Sequence, residues 1–223
     1  MIDLHTHILP NMDDGSKSVE MSYKMLELLA QQGVDTVAAT PHFYPTKDTP
    51  EAFLSRRQAA FEKLQPLPEH FPKVLLGAEV AYFEGIGDCQ ELRELQIGET
   101  GLILVEMPSR DWSGRMIREL ERLALGLGLT PVLAHVDRYL GSNQLPKYQH
   151  QLLDRGIALQ YNADAFLKMG QRRYLLNLVK QGHNCYLGSD AHNLTTRAPR
   201  MGEACRYITQ KMGTDARDLF DEY

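Results

Sequence analysis

Short apolar runs rich in β-branched residues alternate along this chain with longer stretches whose apolar positions recur every three or four residues. The runs are Ile2–His5, Val34–Thr40, Lys73–Ala78, Gly101–Glu106, Thr130–Ala134, Ala158–Asn162 and Asn184–Gly188. Several are apolar throughout, the pattern of parallel strands covered on one face and packed on the other. The stretches between them carry helix signals. Ser18 is placed to cap a helix bearing Met21, Met25, Leu28 and Leu29 that stops at Gly33. Thr49-Pro50-Glu51 supplies a cap, a proline at the first helical position and an early acid, with Phe53, Ala60, Phe61 and Leu64 as the apolar face. Ser113 precedes Met116, Ile117, Leu120, Ala124 and Leu127 at the same spacing. Further helices are expected over Gln144–Asp154, Ala165–Gln181 and Thr196–Lys211.

Seven strands separated by helices require crossover connections and therefore parallel pairing. Such a sheet is either open and doubly wound or closed into a barrel. Gly85-x-Gly87 and Gly126-x-Gly128 lack the third glycine of a dinucleotide-binding turn, and no GxxxxGK[ST] occurs. The expectation is an α/β fold: a (β/α) barrel of about seven strands, an incomplete relative of the eight-strand form, in a single domain over residues 1–223.

Composition narrows the function. Hydrophobic residues are 43% of the chain, ample for a core, and the net charge of −5 is mild with lysine and arginine scattered. Nucleic-acid binding therefore has little electrostatic support. No apolar run approaches the ~20 residues that cross a bilayer, so no membrane insertion is expected. No charged segment followed by an apolar one opens the sequence, so a secretory signal is not expected either. Cys89, Cys185 and Cys205 are far apart with no CxxC, which reads as reduced thiols in a cytoplasmic protein.

The histidines and acids change the picture most. In a (β/α) barrel, chemistry sits at the C-terminal ends of the strands. The first strand ends in His5-Thr6-His7, the second in Thr40-Pro41-His42, the third in Gly77-Ala78-Glu79 and the fourth in Val105-Glu106-Met107. The fifth ends in Ala134-His135, the sixth in Asn162 and the seventh in Ser189-Asp190-Ala191-His192. Residues two apart on a strand point the same way, so His5 and His7, like Asp190 and His192, can share one target. Asp14 joins them from the first loop. Asp13 competes with it, but adjacent residues rarely face one ion, and Asp14 is preferred. A lone histidine at a strand end is more often a hydrogen-bonded structural residue, and HxH alone is weak. Six of seven strand ends bearing His, Asp or Glu is the stronger signal. Imidazole plus carboxylate without thiolate suits manganese, iron or zinc. Nine candidate ligands exceed the needs of one ion, so two or three ions bridged by Glu79 and Glu106 are expected. His70, His150 and His183 fall away from strand ends and read as solvated surface.

Arg138, three residues past His135, and Arg197, five past His192, belong to loops on the same rim. Each reads either as a surface ion pair or as a clamp on an oxyanion, whose geometry the guanidinium fork matches. Phe43, Tyr44, Trp112 and Tyr139 occupy rim loops too, and either pack internally or line an aromatic entrance. A polymetal site beside arginines points to phosphate-ester hydrolysis, with ions lowering the pKa of a bridging water toward ~7. A cysteine phosphatase needs an arginine six positions after its nucleophile, but Leu95, Ala191 and Lys211 stand there. HExxH and GxSxG are absent.

The segments MIDLHTHILPNMDDGSKS, TPHFYP, GAEV, VEMP, LAHVDRY and GSDAHN, in that order, resemble the PHP (polymerase and histidinol phosphatase) superfamily. Within it they resemble the bacterial capsule-type, metal-dependent protein-tyrosine phosphatases of the CpsB/CapC group. The resemblance runs from Met1 to at least Arg197, and the tail after Arg200 carries no motif that can be placed. It implies a distorted (β/α)7 barrel, a site of three divalent ions commonly filled by Mn2+, and dephosphorylation of tyrosines on a bacterial tyrosine kinase controlling capsule and exopolysaccharide synthesis. The positions matching the family's metal ligands are His5, His7, Asp14, His42, Glu79, Glu106, His135, Asp190 and His192. Arg138 and Arg197 match its phosphate-holding arginines. His5, His7 and Asp190 are expected on one ion, Asp14, His42 and His192 on another, and the glutamates with His135 on the third. The expected reaction is in-line attack by a metal-bridging hydroxide on phosphotyrosine. The alternatives are a small-molecule phosphatase of the histidinol-phosphatase type and a non-catalytic metal-binding regulatory domain.

Overall fold

A computed structural model describes residues 1–221. Among these, nine strands and seven α-helices follow in the order β1 (Ile2–Thr6), α1 (Val19–Gln31), β2 (Thr36–Ala39), β3 (His42–Phe43), α2 (Pro50–Glu62), β4 (Lys73–Leu76) and β5 (Glu79–Ala81). The chain continues through β6 (Leu102–Glu106), α3 (Gly114–Leu127), β7 (Thr130–Leu133), α4 (Gln144–Asp154), β8 (Ala158–Asn162), α5 (Arg172–Lys180), β9 (Cys185–Gly188), α6 (Met201–Met212) and α7 (Ala216–Phe220). Every strand pairing is parallel.

The strands form two sheets, ordered β1-β2-β4 and β3-β5-β6-β7-β8-β9, where seven uninterrupted strands were expected. Two staves are each broken into a pair: β2 into β3 at Thr40-Pro41, and β4 into β5 at Gly77-Ala78. Pro41 has no N–H to give to a ladder. Single hydrogen bonds carry the staves across the break, from Gly77 N to the Ala39 carbonyl at 2.9 Å and from Glu79 N to the Pro41 carbonyl at 3.1 Å. On the other side, Asp190 N donates to the His5 carbonyl at 2.8 Å and His7 N to the Ala191 carbonyl at 3.0 Å, joining β1 to the chain leaving β9. The result is a closed, distorted barrel of seven staves.

Leu4, Ala38, Leu102, Leu104, Val132, Ala134, Ala158 and Tyr186 fill its interior, while Val37, Ala39, Ile103, Val105, Leu133 and Leu159 face the helices in the main core. β1 departs from simple alternation. Asp3 pairs with Val37 and Thr6 with Ala39, so three steps on β1 match two on β2. This bulge lets Leu4 pack in the interior cluster while its neighbour His5 also points inward, a re-aiming that bulges commonly perform.

The caps form as the sequence dictates. Ser18 accepts from Met21 N at 3.2 Å, Thr49 from Ala52 N at 3.3 Å and Ser113 from Met116 N at 3.3 Å. The helix expected over Ala165–Gln181 instead divides into a 3-10 turn at Ala163–Leu167 and α5 from Arg172, with Gly170 between them. The helix expected from Thr196 begins only at Met201. Asn193 Oδ1 accepts from Thr195 N at 2.9 Å and Arg197 N at 3.0 Å, holding that stretch in a turn, and Pro199 disfavours helix in the residue before it. The 3-10 turns at Ile86–Asp88 and Gln90–Leu95 and the short α7 have no counterpart in the expected elements. No helix among the described residues is long and apolar enough to cross a membrane.

The three caps give a direct check on local stability. Ser113→Ala removes the side-chain acceptor at the start of α3 and is expected to lower the unfolding free energy by about 1 kcal/mol, read from urea denaturation.

Candidate metal centre

All nine candidate ligands lie at one end of the barrel. His5 Nε2 and His7 Nε2 are 3.1 Å apart, and Glu79 Oε2 lies 3.1 Å from the first, 3.3 Å from the second and 2.9 Å from His42 Nδ1. Asp190 Oδ1 is 3.7 Å from His5 Nε2 and 3.6 Å from His7 Nε2. Asp14 Oδ1 is 3.5 Å from His42 Nε2 and 3.3 Å from His192 Nε2. The donors fall into three groupings: His5, His7 and Asp190; His7, Asp14, His42 and His192; and His42, Glu79 and Glu106. His7 and His42 each belong to two of these. His135 belongs to none, but its Nε2 is 2.8 Å from Glu79 Oε1 and 3.4 Å from Glu106 Oε1.

The donor set fits divalent cations. Glu79 Oε2 has three imidazole nitrogens around it, yet none is aligned to hydrogen-bond with it, and His42 Nδ1 and His192 Nε2 are likewise buried without a hydrogen-bond partner. Buried polar atoms are normally paired, so lone pairs converging on common points call for positive charge there. His135 and Asp190 also sit at positive φ, 33° and 52°, a conformation that costs non-glycine residues energy and clusters at functional sites.

The electrostatics agree. Burial disfavours charge on His5, but Glu79 and Asp190 outweigh it and push its pKa up to about 9. Burial would raise the Glu79 carboxyl, yet His5, His135 and His42 hold it well below the ordinary range. Burial and the neighbouring His7 bring His192 down to about 4, against the pull of Asp190. Glu79 is thus ionised beside a protonated His5, whose positive charge a metal would replace on binding.

Several residues that fix the donors lie outside the expected set. Asp13 is one: its Oδ2 is 2.7 Å from His7 Nδ1 and accepts from His42 N at 2.9 Å, while Oδ1 accepts from Gly15 N at 2.8 Å. Asp13 and Asp14 thus divide the work, one orienting two histidines and the other facing the mouth. Gln160 is another, with Oε1 3.0 Å from His5 Nδ1 and accepting from His135 N at 2.7 Å. Asn162 donates to Asp190 Oδ2 at 3.2 Å. The signal for these two was present as Gln160-x-Asn162, polar side chains two apart on an otherwise apolar strand. A Cβ at Gly188 would lie 2.7 Å from both Gln160 Nε2 and His5 Cβ, so that strand must be bare where the two meet.

Arg138 and Arg197 both reach the centre. Arg138 Nη2 donates to Asp190 Oδ2, and Arg197 Nη2 donates to Asp190 Oδ1 at 2.7 Å. Both line a cavity of about 440 Å3 that opens onto Asp190. Of the four aromatics considered for an entrance, three are excluded. Phe43, Trp112 and Tyr139 are 1–3% exposed, Phe43 against Phe53 and Trp112 against Tyr139, because each joins the core between sheet and helices. Tyr44 alone remains at the mouth, stacked on His42 with centroids 5.3 Å apart. His70, His150 and His183 lie away from the centre, and His70 pairs with Glu27 on the surface.

A family model described as capsular polysaccharide synthesis, CpsB/CapC, matches residues 1–221. The chain belongs to the CpsB/CapC family. Tyrosine-protein phosphatase CpsB of Streptococcus pneumoniae is 32% identical over 241 residues, spanning 99% of this chain and 95% of its own length. Tyrosine-protein phosphatase YwqE of Bacillus subtilis (strain 168) is 30% identical over 233 residues, spanning 100% of this chain and 89% of its own length. A crystal structure from work on YwqE of B. subtilis and CpsB of S. pneumoniae, described as unique metal-dependent tyrosine phosphatases, matches with a TM-score of 0.83 at 28% identity, over 96% of this chain and 89% of that one. Histidinol phosphate phosphatase of Lactococcus lactis, solved with zinc, L-histidinol and phosphate, matches with a TM-score of 0.60 at 16% identity, over 96% and 94%. That more distant likeness shows a shared fold, the PHP-type barrel. Membership in the CpsB/CapC family agrees with the resemblance carried by the HxH, DDG, AHVDRY and SDAH segments.

Residues orienting metal-bound histidines commonly govern affinity by about 10- to 100-fold when removed. Asp13→Ala is therefore expected to weaken divalent-metal binding within that range while leaving the far-ultraviolet circular dichroism unchanged, measured by competition with a chromophoric chelator.

Proposed function

We propose that this CpsB/CapC protein is a metal-dependent phosphomonoester hydrolase that removes phosphate from tyrosine side chains of proteins. The carrying observation is the convergence of eight histidine and carboxylate donors, with His135 against Glu79 beside them, on one barrel mouth beneath two arginines that share Asp190. Relatives matched over nearly the whole chain bear the name tyrosine-protein phosphatase. In this reading the centre holds three divalent ions, Mn2+ foremost with iron or zinc as substitutes, and the substrate is a phosphotyrosine-bearing tail of a bacterial tyrosine kinase in the cytoplasm.

His5, His7 and Asp190 would hold one ion, Asp14, His42 and His192 a second, and Glu79, Glu106 and His135 a third. Ions bound there supply a water acidified toward a pKa of ~7 and neutralise charge on phosphoryl oxygens. The remaining work belongs to the chain. Asp13 and Gln160 fix the ring orientations of His7 and His5, so the donors are preorganised. Arg138 and Arg197 present guanidinium forks that suit phosphoryl oxygens, and their bonds to Asp190 hold both forks at the cavity before substrate arrives. The leaving phenol has a pKa of ~10, low enough to depart with little help from an acid. A cysteine nucleophile has no support: burial pushes the Cys185 and Cys205 thiols up to about 12, keeping them protonated at neutral pH.

Hydrolysis of a phosphotyrosine peptide is expected to vanish with chelator and with Asp190→Ala, and to survive replacement of all three cysteines by serine. Activity that persists under chelation, or that favours histidinol phosphate over the peptide, overturns the reading. Arg197→Lys gives up a charge-assisted fork worth about 1.5–3 kcal/mol, so kcat/KM on the peptide is expected to fall about 10- to 100-fold.

A further inference from the structure

Two hollows open on the centre, and they differ in chemistry. The cavity that holds Arg138 and Arg197 has a single apolar lining residue, Ala198, among charged, amide and hydroxyl side chains. The other, a groove of about 360 Å3 on the opposite side of Asp14, is walled by His42, Tyr44 and Met12 together with the charged side chains of Lys47, Arg56 and three aspartates. Asp14 lies between them, lining the groove and standing 3.6 Å from Arg197 Nη1.

A phosphorylated tyrosine has two unlike ends. Its phosphoryl group suits the arginine cavity, while its ring finds no aromatic or thioether side chain there. The groove offers what a ring needs: an aromatic face, a thioether that packs well against aromatics, and a cation. Tyr44 is half-buried and held in place by stacking on His42, with ring planes 29° apart. Lys47 Nζ lies 4.5 Å from the Tyr44 ring centroid. Its neighbours Arg56 and Asp48 pair with each other, and Lys47 enters no ion pair among the described residues. It is therefore free to move off Tyr44 and cover an arriving ring, keeping a cation–π contact.

We propose that this groove receives the aromatic ring of the substrate, and that Tyr44 is the specificity-determining residue that selects aryl over alkyl phosphomonoesters. The inference rests on the phosphotyrosine reading above and adds where the ring goes. Tyr44 contributes a face rather than its hydroxyl, so phenylalanine serves equally well. Lys47 adds a preference for substrates that bring an aromatic ring or a carboxylate beside it.

The test compares wild type, Tyr44→Ala and Tyr44→Phe, each loaded with Mn2+. Tyr44→Ala is expected to raise KM for a phosphotyrosine peptide about tenfold, consistent with the loss of one aromatic pairing, and Tyr44→Phe to restore it. Inhibition by inorganic phosphate, which reports the phosphoryl end alone, should be unchanged in both variants, as should bound metal per chain. An unchanged KM in Tyr44→Ala overturns the inference while leaving the phosphatase reading intact. So does a parallel loss of phosphate inhibition and bound metal, which would show Tyr44 acting through His42 instead of on the substrate ring. A wild-type protein that leaves the peptide untouched overturns the phosphatase reading and this inference with it.

Discussion

The buried carboxylate of Glu79 is the interaction on which the rest of this structure depends. It is 1% exposed and stands among His5, His7, His42 and His135, contributed by two other staves and the loop following a third. An ionised group in that position is costly unless it is paired. Its imidazole neighbours lower that cost, and their own desolvation is offset by Glu79 and Asp190 in turn. The cluster is therefore a mutual arrangement in which each charge justifies the others, and cations complete it. Such a site must be held by a rigid frame, because charges of like sign would otherwise relax apart.

The barrel supplies that frame through its irregularities more than its regular part. The bulge in β1 turns His5 inward beside Leu4, so one strand serves both the apolar interior and the polar mouth. The breaks at Pro41 and Gly77 start two new short strands, and their first residues are His42 and Glu79, paired in register with each other. Gly77 is needed there because a Cβ would come within 2.8 Å of Ile97 Cγ1. Positive φ at His135 and Asp190 bends the chain where staves end. Regular strands would have carried these side chains past the centre.

Function follows from the partition of polarity at the mouth. Cationic forks gather on the side of β8 and β9, anchored by Asp190, and a half-buried tyrosine stands on the side of β3. The cluster of histidine and carboxylate donors lies between. The mouth is therefore divided into a cationic side and a side that carries an aromatic face.

The sequence by itself determined the class of fold and which histidines and acids end its strands. Continuous apolar runs separated by capped helices require a parallel, helix-covered sheet, and histidines and acids recurring at strand ends gather wherever such a sheet closes. Those are local patterns with a fixed period, so they can be read without coordinates. The placement of helices after Gly170 and Pro199 was less legible, since side-chain bonds such as those of Asn193 compete with apolar periodicity there. Tertiary structure alone decided which of Asp13 and Asp14 orients and which faces the mouth, how Gln160 joins His5 to His135, and why Phe43, Trp112 and Tyr139 are core while Tyr44 is not. Each of these depends on which distant segment lies opposite. That is set by barrel closure, a property of the whole chain that no single stretch of it contains.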